Sequence, residues 1–344
     1  MFGAEPKQFS FVVNMAMTVR YGESDMNESK QMNDNDRHPI RTDNSDQGFR
    51  IQMTGDTLCL QSRAGRKLTL ICEGGGQRGI FTAGILDGFM QHKFFPFHSL
   101  LGVSAGAQNL TAYVCDQHGY GRDAILHYTT DKKFYNPLRF ARGGHLIDLD
   151  WYLGALNQQM PLNIAQGLKR LAGRSFHLCA SRCETLEADY LPFQSNNLYQ
   201  SIKASCAIPL LYRQRVELDG VDYWDGGVAD SVPVQVAHRW GSDCIVVIRT
   251  QPRESVDALT GLSGNWRWKA VQKLGSLVQS YLKNYNAAMN FIENPPDGVR
   301  IIDIAPTRPL KSRLLGSSLD WLRHDYQLGQ TCARSFLENY ASLF

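Results

Sequence analysis

The chain has little of what would name a class of partner at once. It has no excess of one charge: 36 Lys and Arg stand against 33 Asp and Glu, and a net charge of +3 is too small to argue for nucleic acid. It has no apolar run near the ~20 residues that a membrane-spanning helix requires. The nearest thing to a signal-peptide core, FSFVVNMAMTV, is preceded by Glu5 and Lys7 and followed by no small-residue cleavage site. The cysteines have no framework spacing. Cys72, Cys179 and Cys244 sit inside apolar strand-like runs and read as small core residues, while Cys179 and Cys183 have no second pair to complete a zinc site. No calcium-binding loop occurs. These absences imply no metal and no cofactor, and a cytoplasmic protein, either free or peripheral at the inner face of the membrane.

What is present is enough for a large core. A chain of 344 residues that is 43% hydrophobic can build one sizeable α/β domain with appendages. Residues 21–48 are dominated by Asp, Asn, Glu, Ser and Lys, so they bury too little apolar surface to offset the entropy of ordering. Residues 1–52 are therefore expected to be a disordered and dispensable leader, with Met53 as an alternative start. From Lys67 the pattern becomes strand, glycine loop, helix (LTLICE, GGGQRG, IFTAGILDGFM), and a second such unit follows in SLLGV, Ser104 and AGAQNLTAYVC. Strands are expected at FHLCA and CIVVIRT, and a hairpin at RVELDGVDYW with its Asp219-Gly220 turn. This alternation predicts a largely parallel sheet covered by helices. The main domain is expected over 67–252. Residues 253–344 should form a mostly helical extension packed on the core, with a long helix over 266–292, a short strand at VRIIDIAP and a final helix from Asp320.

Three glycine motifs carry the chemistry. The first is Gly74-Gly75-Gly76-Gln77-Arg78-Gly79, where glycines after a strand and before a helix expose backbone N–H groups at the positive end of a helix dipole. An anion can be held there. The same residues satisfy a dinucleotide fingerprint, but that reading needs an acidic residue ending the second strand, and the second strand ends on Ser104. The second motif is Gly102-Val103-Ser104-Ala105-Gly106, a nucleophile elbow whose tight strand-to-helix turn lifts the serine hydroxyl out of the sheet. The third is Asp225-Gly226-Gly227, in which a carboxylate enters a site while the glycines let the backbone turn closely. Alone, each is a weak signal and Asp-Gly-Gly is most often a plain turn. Together and in this order they are not.

With these motifs the chain resembles the patatin-like phospholipases, whose signature is a G-G-G-x-x-G loop, a G-x-S-x-G nucleophile and a later D-G-G. A further shared block, A-S-x-A-x-P, stands here as Ala204-Ser205-Cys206-Ala207-Ile208-Pro209, and the start C-E-G-G-G-x-R-G at Cys72–Gly79 is similar to a bacterial branch with a comparable C-terminal extension. Glu73 departs from the Asp more usual before the glycines. The resemblance implies a three-layer α/β fold with a mainly parallel central sheet flanked by helices. It implies a serine hydrolase acting on a lipid acyl ester, with Ser104 as nucleophile and Asp225 as base in a dyad without histidine. The amides of Gly75, Gly76 and Gly79 would line an oxyanion hole, with Arg78 adding charge near the oxyanion or a lipid phosphate.

Two other readings compete. A Ser-Asp-His triad could be completed by His238 in VPVQVAHRW, although a histidine there fits the face of an amphipathic helix. A non-catalytic lipid or phosphate binder could use the glycine loop alone, which leaves Ser104 and Asp225 without a purpose. The stretch Trp266-Arg267-Trp268-Lys269, with Lys273 and Lys283, mixes aromatics and positive charge as interfacial helices do, but tryptophan at helical spacing more often packs into a core.

Overall fold

A computed structural model describes residues 41–42, 45–55, 67–252 and 272–344. Along the chain come strands β1 (Arg41–Thr42), β2 (Phe49–Gly55) and β3 (Leu68–Cys72), helix α1 (Gly79–Gln91), β4 (Ser99–Val103) and α2 (Ala105–Val114). Four short helices follow: α3 (Tyr120–Asp123), α4 (Pro137–Ala141), α5 (Leu149–Gln159) and α6 (Ile164–Arg170). Then come β5 (Ser175–Arg182), β6 (Ala188–Pro192), α7 (Leu198–Cys206), β7 (Val216–Leu218), β8 (Val221–Asp225), α8 (Val234–Arg239) and β9 (Cys244–Ile248). The last elements are α9 (Gln272–Glu293), β10 (Arg300–Pro306) and α10 (Leu319–Tyr340).

The strands form one sheet in the order β1-β2-β10-β9-β3-β4-β5-β8-β7, with β6 paired to β5. Its centre, β10-β9-β3-β4-β5, is parallel. The alternation of side chains along each strand feeds two cores. Leu68, Leu70 and Cys72 of β3, Leu100 of β4 and Val246 and Ile248 of β9 face a large cluster shared with Phe81, Ile85 and Phe89 of α1 and Phe336 of α10. Ile71, Leu101, Ile245 and Val247 face the other side, against Val234 and Val236 of α8 and Tyr285, Met289 and Ile292 of α9. Helices on both faces of the sheet make three layers, but the sheet is mixed rather than largely parallel: its four central pairings are parallel and the five at its edges are antiparallel.

One boundary differs from that expected. The leader does not run to residue 52: Phe49–Gly55 is a strand paired along its whole length, antiparallel, with β10. Phe49, Ile51 and Met53 alternate with Arg50, Gln52 and Thr54, so one face is buried while the composition stays polar. Residues 272–344 are mainly helical and packed on the core, and their one strand also enters the sheet. Strand β10 is buried at every residue, between β2 and β9, and its Asp303 makes a bidentate pair with Arg249, both bonds 2.8 Å and both residues buried. Helix α10 meets α1 so closely that a Cβ on Gly329 would come within 2.2 Å of the Phe81 carbonyl oxygen. The expected long helix begins at Gln272 among the described residues, and Trp266, Arg267, Trp268 and Lys269 lie outside them. Among the described residues no helix is long and apolar enough to cross a membrane.

Candidate active site

The carboxyl ends of parallel strands are where an open α/β sheet leaves room for a ligand, and the three glycine motifs gather there. Ser104 follows β4 directly and caps α2 with φ 52° and ψ −124°, a left-handed conformation that a side chain adopts only under constraint. The flanking glycines explain how the turn is possible. A Cβ at Gly102 would stand 2.4 Å from Ala107 Cα, and one at Gly106 would stand 2.3 Å from the Cys72 carbonyl oxygen. Gly102 thus lets the end of β4 fold back onto the start of α2, and Gly106 lets α2 press on the end of β3.

Asp225 ends β8 and is 7% exposed. Its Oδ1 accepts the Gly227 N–H at 2.8 Å, while Oδ2 is buried with no hydrogen-bond partner. Burial pushes the carboxyl from its ordinary 3.8 up to about 6, against the smaller opposing pull of the neighbouring Ser104 hydroxyl and the Gly227 N–H. A Cβ on Gly226 would meet the Cys179 carbonyl oxygen at 2.2 Å, so the glycine lets the strand end turn tightly over β5. Ser181 donates to the Asp225 carbonyl oxygen at 2.8 Å and accepts the Ala229 N–H at 3.0 Å, bracing the same turn.

The block Ala204–Pro209 touches both groups. Ser205 Oγ accepts the Ser104 N–H at 2.9 Å, and the Ala207 carbonyl accepts the Asp225 N–H at 2.9 Å. Burial raises the Cys206 thiol above its ordinary range, with the nearby Asp225 charge adding to the rise and Ser104 opposing it only in part. Sequence marked this block without indicating what it does; its place is to hold Ser104 and Asp225 in register.

In the glycine loop the residues separate by role. Gly74 lies against the serine: a Cβ there would be 3.0 Å from Ser104 Cβ. Gly75 and Gly76 take φ 143° and 57°, both costly for an L side chain. The Gly79 N–H is used inside the 3-10 turn, where it donates to Gly76 and Gln77 carbonyls, so its expected oxyanion role does not hold. Gly79 serves packing instead, 2.9 Å from Ala105 Cβ at the position of its absent side chain. Arg78 Nε is buried beside Gly75 without a hydrogen-bond partner. The C-terminal segment closes over the loop from outside: the Leu314 carbonyl accepts the Gln77 N–H at 3.0 Å, and Gln77 Oε1 accepts the Ser317 N–H at 2.8 Å.

His238 is not part of this group. Its ring packs on Phe291 of α9 at 5.7 Å, and no hydrogen bond joins it to Ser104 or Asp225.

A family model described as a patatin-like phospholipase matches residues 70–238, and one described as a domain of unknown function (DUF6363) matches residues 271–344. The chain is 46% identical over 281 residues to the uncharacterized protein YjjU of Escherichia coli strain K12, spanning 80% of this chain and 79% of that one. Among solved structures, VipD from Legionella pneumophila is similar at 14% identity and a TM-score of 0.43, over 92% of this chain and 72% of VipD. Human GIVD cytosolic phospholipase A2, in complex with an inhibitor, methyl gamma-linolenyl fluorophosphonate, is similar at 11% identity and a TM-score of 0.43, over 83% of this chain and 61% of that chain.

Proposed function

We propose that this chain, which belongs to the patatin-like phospholipase family, is a serine hydrolase that cleaves lipid acyl esters through a Ser104–Asp225 dyad. One observation carries the reading: a serine held at positive φ in the elbow stands beside a buried carboxylate whose second oxygen has no hydrogen-bond partner. A carboxyl tuned to about 6 is ionised at neutral pH and is still a far better proton acceptor than a free aspartate.

In the reaction Asp225 Oδ2 takes the proton as Ser104 Oγ attacks the acyl carbonyl carbon. The carbonyl oxygen becomes an oxyanion, which the Gly75 and Gly76 N–H groups receive. Collapse breaks the ester bond, the leaving alcohol takes the proton from Asp225, and the acyl group remains on Ser104. Water then attacks the acyl-enzyme and gives a proton to Asp225, which passes it to Ser104 Oγ as the acyl–oxygen bond breaks and the fatty acid leaves. Arg78, with Nε turned to the loop, supplies positive charge for the oxyanion or a lipid phosphate. No metal enters any step. A lipid substrate brings the reaction to a membrane surface.

The test is turnover of one soluble acyl ester by Ser104→Ala, Asp225→Asn, their double mutant and His238→Ala, each checked for folding by circular dichroism. Each dyad variant should lose at least ~10³-fold in kcat, and the double mutant little more, because parts of one device are not additive. His238→Ala should stay within a few-fold of the parent. Collapse of a well-folded His238→Ala would sink the dyad in favour of a triad, and unaltered turnover in Ser104→Ala would remove the serine from the reaction.

A further inference from the structure

The glycine loop is gripped from the side opposite the nucleophile. Thr250, two residues beyond the end of β9, donates its hydroxyl to the Gly74 carbonyl at 2.6 Å. Its own N–H donates to Glu73 Oε2 at 2.6 Å, and the same carboxylate oxygen lies 3.3 Å from Thr250 Oγ1. Both side chains are closed off from solvent, Glu73 at 2% and Thr250 at 0% exposure. A hydroxyl has one proton to give, so the shorter contact takes it and Glu73 is left to hold the Thr250 backbone. Space is equally tight: a Cβ on Gly75 would stand 2.6 Å from Thr250 Oγ1. A methyl at Gly75 therefore strikes Thr250.

The direction of the grip follows from peptide geometry. In a trans peptide the C=O and the following N–H point opposite ways. Strand β3 runs between β9 and β4. With the Gly74 carbonyl turned to the β9 side, where Thr250 stands, the Gly75 N–H is turned to the β4 side, where Ser104 stands.

We propose that Thr250, anchored by Glu73, is a positioning residue that fixes the Gly74–Gly75 peptide so that the Gly75 N–H faces the developing oxyanion. This role rests on the hydrolase reading above. Thr250→Val keeps the shape and removes the hydroxyl, which leaves the Gly74 carbonyl without its partner and the peptide free to turn. Since removing an oxyanion donor outright typically costs ~10²- to 10³-fold, misaligning one should lower kcat on a soluble ester by about 10- to 100-fold, with KM within about twofold. Thr250→Ser, which restores the donor, should recover to within about threefold of the parent. Covalent labelling of Ser104 by an alkyl fluorophosphonate, whose phosphonyl oxygen occupies the oxyanion position, should slow in parallel in Thr250→Val.

A folded Thr250→Val that labels and turns over at the parental rate overturns the role, and so does a Thr250→Ser as slow as the valine variant, since shape alone would then matter. If the valine variant does not fold by thermal melt, Thr250→Ala takes its place with the same expectations. A parent protein that neither hydrolyses an ester nor labels at Ser104 overturns the hydrolase reading and this role together, a result distinct from normal parental chemistry that Thr250 does not influence.

Discussion

Asp225→Asn should make the protein more stable while removing its activity, and the gain should depend on pH in a defined direction. Burial raises the Asp225 carboxyl from 3.8 to about 6 in the folded state. An acid whose folded pKa lies above its unfolded value binds its proton more tightly when folded. Its favourable contribution is therefore complete at pH below 3.8 and is lost as pH rises to about 6. Above that window the ionised carboxylate costs ~3 kcal/mol against its protonated form, from a shift of about two units at 1.36 kcal/mol each. Asparagine has the shape of the protonated acid, can still accept the Gly227 N–H and never ionises. The stability difference between variant and parent should grow by ~1.4 kcal/mol between about pH 5 and about pH 8, which corresponds to about 2 °C in Tm for a protein of this size. Thermal melts of both proteins across that range measure it. In the same range the parental kcat/KM should rise with a midpoint near about 6, because only the ionised carboxylate can accept the Ser104 proton. A gap that is flat with pH, or a parent that is the more stable protein near pH 8, would refute the desolvated carboxylate and with it the physical basis for Asp225 as the base.

Beginning the chain at Met53 should cost ~5 kcal/mol relative to a start at Arg41, because it deletes the fully buried Phe49 and Ile51 and half the pairing of β2 with β10. A melt of the two truncated proteins checks it, and equal Tm values would show that β2 contributes nothing. Asp303→Asn should destabilise by ~3–5 kcal/mol, since it leaves the Arg249 guanidinium buried without its carboxylate. Urea unfolding measures this loss, and a change below ~1 kcal/mol would mean that water or another acceptor already serves Arg249.

How far sequence reached depended on whether a feature is written in neighbouring residues. Ser104 between two glycines, the Asp219-Gly220 hairpin and the strand-loop-helix units are local patterns, and each appears where it was expected. The helices between residues 115 and 174 were not anticipated, yet they too carry local signs. Asn136, Asp148 and Asn163 each cap a helix by accepting an N–H three residues on, and Asn136 is followed by Pro137 at the first helical position. Strand β2 also bore its two-residue alternation, outweighed by the polar leader before it.

Long-range features had no such sign. That β10 is interior to the sheet follows from pairing choices between segments far apart in sequence, and an apolar strand reads the same at a sheet's centre or in an appendage. Thr250 is the limiting case, because its side chain acts on a backbone carbonyl 176 residues away and requires of its partner only a C=O, which every residue has. A nucleophile and its glycines constrain residue types at fixed spacing, so they can be read from a chain. A hydroxyl that orients a peptide constrains one residue type and no spacing, and only the approach of β9 to β3 reveals it. Groups of this kind should be sought at the ends of the strands flanking a glycine loop, on the side away from the nucleophile, where a donor to the loop's first carbonyl must turn the next N–H toward the reacting oxygen.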